Sequence, residues 1–254
     1  VAVRAVDIML CVTLGASESG IVGGKIAKPH SRKYMASLQT DGNHFCGGFL
    51  IRDDFVLTAA HCKRDNTVIV LGAHNITKPE KSQQKIQVKK YFPHPKYNGK
   101  YDFDVMLLKL KQKAQLNKFV QTIGLPKKDK TVKAHTECTV SGWGRIQGEK
   151  NKNKKQTVYV SFYIAHINIW FELYTTIVIL SICLFLQGDS GGPLICKNKP
   201  LGISAFTNAD CADPKYPHAY TKISSFLPWI EKITGGLGNE SKPLDSTYYS
   251  PRFN

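Results

Sequence analysis

Acidic side chains are scarce in this chain. Against 35 Lys and Arg there are 19 Asp and Glu, so the 254 residues carry a formal net charge of +16 at neutral pH. That imbalance favours acidic partners: nucleic acid, anionic lipid or sulfated polysaccharide. Specific nucleic-acid reading is disfavoured in turn. The densest basic cluster, Lys150, Lys152, Lys154 and Lys155 in "GEKNKNKKQ", has no aromatic residue to stack on bases and the Gly/Asn content of a solvated loop. Also absent is an uncharged run long enough to cross a bilayer. The strongest candidate, 173–186, is 14 residues long and meets Glu172 when extended back to Ile167, whereas a helical span needs about 20. Membrane anchoring is therefore not expected.

Helical periodicity is missing from most of the chain, and simple inspection finds no internal repeat. From Ile21 onward short β-type runs alternate with turn residues: "YMASLQ", "FCGGFLI", "FVLTAA", "TVIVLG", "KIQVKKYF", "VMLLKL", "ECTVSGW", "PLGISAF" and "HAYTKI". Runs of this length, about ten residues apart, predict an all-β barrel or sandwich rather than βαβ units. The exception is "SSFLPWIEKI" (224–233), which has helical spacing and serines placed to cap it. Residues 234–254 offer little to bury and read as a flexible tail.

The first twenty residues, "VAVRAVDIMLCVTLGASESG", resemble a secretory signal remnant followed by a short propeptide, although Asp7 interrupts the apolar stretch. Seven cysteines (11, 46, 62, 138, 183, 196 and 211) and two Asn-x-Ser/Thr acceptors, at Asn75 and Asn239, suit an oxidising compartment.

Three distant stretches each supply one part of a nucleophilic machine. "LTAAHC" presents His61, "DFDVMLLKL" places Asp104 before an apolar run, and "GDSGGPLIC" sets Ser190 among glycines. A serine hydroxyl is a weak nucleophile at neutral pH and needs a base within hydrogen-bond reach, itself oriented by an acceptor. Histidine is the natural base because its unperturbed pKa lies near working pH. The glycines let the chain turn so that the N–H groups of Gly188 and Ser190 converge on a developing oxyanion. Singly, each signal is weak: a lone His beside Cys is more often structural, and Gly-Asp-Ser-Gly can be only a tight loop.

Together with "IVGG", "LGAHN" and "SGWG", these motifs make the chain resemble the chymotrypsin-like serine endopeptidases, the granzyme and mast-cell-protease branch in particular. The resemblance covers 21–157 and 188–233. It implies two packed six-stranded antiparallel barrels with a C-terminal helix, a protease domain over 21–233, and no metal or organic cofactor. It also implies that His61, Asp104 and Ser190 form a triad, and that a freed amino terminus at Ile21 pairs with Asp189. Gly20 stands where a trypsin-activated zymogen has Lys or Arg, so removal of a short acidic propeptide by a dipeptidase is the expected activation. Protein or peptide substrates, a heparin-like proteoglycan as storage partner, and a secreted or granule location complete the expectation. The rival reading is a catalytically inactive glycosaminoglycan-binding homologue.

The resemblance pairs Cys46 with Cys62 and Cys138 with Cys196. Cys211 lacks its usual partner four residues before the serine, where Leu186 stands; Cys183 is out of phase with that position. The substrate pocket implied by the family comprises Leu184, Ala205, Phe206, Thr207 and His218. Thr207 in place of a glycine narrows the slot, and the His218 imidazole favours acidic or small P1 residues over Lys or Arg. Residues 158–187 match nothing in the family, in a connection about a dozen residues shorter than usual. "ILSICLFLQ" has the composition of a splice-acceptor sequence read in frame and ends where resemblance resumes. A translated intron is expected ahead of a divergent insert or an anchor.

Overall fold

The computed structural model describes residues 25–100, 102–127, 136, 138–144, 160–164, 169–173, 176–179, 188–206 and 218–235. Its strands are β1 (Lys25–Ile26), β2 (Met35–Thr40), β3 (Asn43–Arg52), β4 (Phe55–Thr58), β5 (Val68–Leu71), β6 (Gln84–Pro93), β7 (Met106–Leu110), β8 (Cys138–Gly142), β9 (Val160–Ile164), β10 (Ile169–Leu173), β11 (Thr176–Ile179), β12 (Pro193–Cys196), β13 (Lys199–Phe206) and β14 (His218–Lys222). One helix, α1 (Leu227–Thr234), follows.

Strands β2 to β7 close into a barrel in the order β2-β3-β4-β7-β6-β5. Its entry hairpin has a sequence cause. Asp41 and Gly42 both adopt positive φ, 52° and 74°, as a two-residue primed turn between paired Thr40 and Asn43 requires. The barrel is filled by apolar side chains from its own strands, with Leu38, Phe49, Leu50, Leu57, Ile69, Leu71, Leu107 and Leu108 fully buried.

The second half is a sheet in the order β1-β9-β8-β12-β13-β14-β11-β10. The all-β expectation with a short C-terminal helix holds, as one closed barrel and a second, eight-stranded sheet. Residues 158–187 supply β9, β10 and β11. β9 pairs with β1 and β8, and β11 with β14. The Cys46–Cys62 and Cys138–Cys196 disulfides are both formed, the second across directly opposed residues of β8 and β12.

The helix starts later than the serines suggest. Ser224 and Ser225 lie in a 3-10 turn, Ile223–Phe226, and the N-cap is Phe226, which makes no side-chain cap. Pro228 in the first turn needs no N–H there, and Gly235, at φ 73°, closes the C-terminus on Glu231 O. Arg52 Nη1 donates to Thr234 O while its Nε pairs with Asp54, which also receives Lys109 Nζ. A cation thus meets the negative end of the helix and ties it to the barrel. Burial alone would raise the Asp54 pKa, but the bonds from Arg52 and Lys109 outweigh it and hold the carboxyl below its ordinary value. No helix among the described residues is long and apolar enough to cross a membrane.

Candidate active site

His61 sits in a 3-10 turn, Ala60–Cys62, at the end of β4, where the chain must leave the barrel. The Cys46–Cys62 bond fastens that turn to β3. Asp104 arrives at the start of β7, beside β4, so strand pairing brings the two motifs together. The Asp104 side chain is 4% exposed and both its oxygens are used. Oδ1 accepts the His61 backbone N–H at 2.9 Å and Oδ2 accepts from His61 Nδ1 at 2.6 Å. A carboxylate only accepts, so Nδ1 carries the proton and Nε2 is left as the basic nitrogen. From β14, Thr221 Oγ1 donates to Asp104 O at 2.9 Å, linking the second sheet to this pair.

Ser190 lies in the turn before β12. Its carbonyl accepts from Gly47 N in β3 at 2.7 Å, and the next residue, Gly191, donates to Ser204 O in β13 at 2.8 Å. Gly191 has φ 81°, and a Cβ there would collide with Thr58 Oγ1 and Gly47 O, so only glycine permits this approach. Because Gly191 packs against Thr58 and Ala59, the serine turn sits beside the segment leading to His61. Ser190 is half-buried at the seam between barrel and sheet.

Asp189 is buried, 3% exposed. Its Oδ1 accepts from Gly144 N at 2.7 Å, and Cβ atoms built on Gly142 or Gly144 would run into its carboxylate. The "SGWG" motif is thus a cradle for this side chain. Burial pushes the pKa of the enclosed Tyr220 hydroxyl well up, with the Asp189 charge adding to the effect.

His44 was missed at the sequence level. Its Nε2 donates to Gly188 O at 2.9 Å, while Nδ1 accepts from Ser37 Oγ at 2.8 Å, itself bonded by Gln39 Nε2. Burial lowers its pKa from 6.5 to about 4, although the Gly188 bond opposes the shift. A neutral ring therefore props the carbonyl at the head of the serine turn. The only available signal was "NHFCGG", with His44 two residues before a cysteine.

Among the residues expected to line a substrate pocket, Ala205 is buried in β13, and Phe206 is paired through its backbone with Ala219, next to His218 in β14. Those two walls are neighbouring strands. Leu184, Thr207, Ile21, Cys183, Cys211 and Asn239 lie outside the described residues. Cys46, Cys62 and His61 cluster closely, but the two sulfurs are joined to each other and are not thiolate ligands.

Comparison with known proteins bears on this geometry. The Trypsin family model matches residues 21–230. This chain belongs to the trypsin family. Granzyme B of Rattus norvegicus is 42% identical over 235 residues, covering 85% of this chain and 92% of that protein. Mast cell protease 3 of Ovis aries is 42% identical over 241 residues, covering 89% and 94%. Cathepsin G of Homo sapiens is 37% identical over 229 residues, covering 85% and 88%. The trypsin-family chain is thus a chymotrypsin-like serine endopeptidase of the granzyme branch, acting on protein substrates.

Proposed function

We propose that His61, Asp104 and Ser190 hydrolyse peptide bonds through an acyl-enzyme. Ser190 Oγ attacks the scissile carbonyl while His61 Nε2 takes its proton. His61 then passes that proton to the leaving amine, and water, activated by the same nitrogen, releases the acyl group. Asp104 orients the ring and stabilises the imidazolium. The N–H groups of Gly188 and Ser190 receive the oxyanion. The observation that carries this reading is the two-point grip of Asp104 on His61, at 2.9 and 2.6 Å, which leaves one ring nitrogen fixed and basic.

Activation follows when a short propeptide is removed and the Ile21 ammonium pairs with Asp189, a buried carboxylate suited to a cationic partner. The protease domain spans 21–233 between the signal and propeptide region and the tail. The pocket around His218 favours acidic or small P1 residues. Location is the secretory granule or the outside of the cell, and the +16 charge holds the protein on heparin-like proteoglycan in a salt-sensitive manner. A transcript spliced in the usual way replaces 158–187 with a segment carrying the Cys211 partner; full-length mRNA reads decide that point.

Labelling with a fluorophosphonate probe tests the triad. Stoichiometric labelling at Ser190, absent in Ser190→Ala and sharply slowed in His61→Ala, is the expected result. An unlabelled, folded chain that still binds heparin would establish the inactive-homologue reading instead.

A further inference from the structure

The loop between β6 and Asp104 carries a reactive pair of residues that the proposed chemistry does not use. After β6 the chain makes a turn closed by Tyr97 N, which donates to His94 O at 2.9 Å. Asn98, Gly99 and Lys100 then run exposed to solvent, and among the described residues Asn98 is the one asparagine followed by glycine. Gly99 has φ 83°, and a Cβ placed on it would meet nothing within 4 Å. No other part of the chain crowds the link between the two residues.

The polar atoms of that link are unevenly held. Lys100 N donates to Asn98 Oδ1 at 3.1 Å, which draws electron density from the carboxamide carbon. Neither Asn98 Nδ2 nor Gly99 N has a hydrogen-bond partner among the described residues. An unheld nucleophile, a polarised carbonyl and an unheld leaving group therefore lie within reach of one small ring. Glycine permits its closure, since it brings no side chain against the ring and is free in its dihedrals. Asp41-Gly42 is the contrasting case. That pair is locked in a primed turn between paired Thr40 and Asn43, and an ionised carboxylate is a poor electrophile.

We propose that Asn98 deamidates spontaneously in the folded protein. Gly99 N loses its proton to hydroxide and bonds to Asn98 Cγ; the Cγ–Nδ2 bond breaks, and Nδ2 leaves as ammonia with a proton from water. Water then opens the succinimide at either carbonyl, giving aspartate or isoaspartate. The product places a carboxylate between Lys96 and Lys100 in the sequence, and the isoaspartyl form lengthens the main chain of the loop that ends at Asp104. Tyr97, next to the modified link, has its hydroxyl pKa raised by burial and further by the Asp104 charge, so the ageing loop lies within electrostatic reach of that carboxylate.

The reaction needs no active site, so full-length Ser190→Ala protein is aged in heavy-oxygen water at neutral pH and mapped by mass spectrometry, with electron-transfer fragmentation to tell the two products apart. Asn98 should take up one heavy oxygen and yield mainly isoaspartate, at a rate within about tenfold of the free peptide Tyr-Asn-Gly-Lys, as an open surface loop allows. Asn43 and Asn117, followed by His44 and Lys118, should stay intact. The rate should rise about tenfold per pH unit, because the attacking species is the deprotonated amide. Gly99→Ala should slow it by about tenfold or more, and Asn98→Gln, an exposed substitution that needs a larger ring, should abolish it. Asn98 left intact after the peptide has fully converted would overturn the proposal, as would aspartate at that position formed without isoaspartate. If Gly99→Ala folds poorly at its positive φ, the pH series decides, and conversion independent of pH refutes the cyclic route.

Discussion

The barrel β2 to β7 and the sheet β8 to β14 are built from different kinds of sequence. Barrel strands come from motif-rich stretches whose side chains fill a common core, whereas β9, β10 and β11 come from continuous apolar runs within residues 158–187. The serine turn is held by Gly47 in β3 and Ser204 in β13, while the segment's β11 lies along β14, the strand that carries His218. The contrast is between the contacts that fix the serine turn and the strand that lies beside the proposed pocket wall. Under the proposed roles of His218 and Ser190, β11 bears on the strand expected to wall the pocket.

The largest expected effects test the chemistry proposed at the seam between the two regions. Ser190→Ala should lower kcat/KM on a peptide thioester by about 10⁵-fold or more, and Asp104→Asn by about 10⁴-fold, since the second keeps the ring in place but inverts its tautomer. Equal activity in Asp104→Asn and the parent would break that proposal at its root.

Core truncations compare the two regions directly. Leu107→Ala, at a fully buried barrel site, should cost about 3 to 5 kcal/mol in denaturant unfolding. Ile177→Ala in β11, buried at 3% and opposite Tyr220, should cost about 2 kcal/mol, because an edge-side cavity collapses more readily. A cost near zero would show that the segment is not packed at all, and a cost matching Leu107→Ala would erase the contrast.

His44 joins the regions, and its titration should be visible in stability. Its folded pKa, about 4, lies below the ordinary 6.5, so between those values the unfolded chain binds the proton better. Stability should be full above pH 6.5 and decline as pH falls toward 4. Thermal melts across that window should flatten in His44→Gln; an unchanged slope would remove the histidine from the account. The smallest expected change is at the helix tie. Arg52→Ala should cost about 1 to 2 kcal/mol, by unfolding in urea, through loss of its bonds to Asp54 and Thr234 O.

Legibility followed the range of the interactions. "TAAHC", "DVMLLKL" and "GDSGGP" could be read because each is a local signature. β9 to β11 were not readable, since continuous apolar runs have no period to distinguish strand from helix. The serine caps failed because a 3-10 turn took the residues expected to begin the helix. His44 escaped because its meaning comes from a partner far along the chain, Gly188.

The cradle at Gly142 and Gly144 carries a message for heredity. Any single-nucleotide change that turns either glycine codon into another amino acid adds a Cβ into space already filled by the Asp189 carboxylate. In a saturation scan of this gene those two codons should appear as nearly empty columns, intolerant even of alanine, although neither residue is among those proposed to carry the chemistry. A clinical or breeding variant at either position would thus be scored as a loss of function without altering any residue assigned to the chemistry.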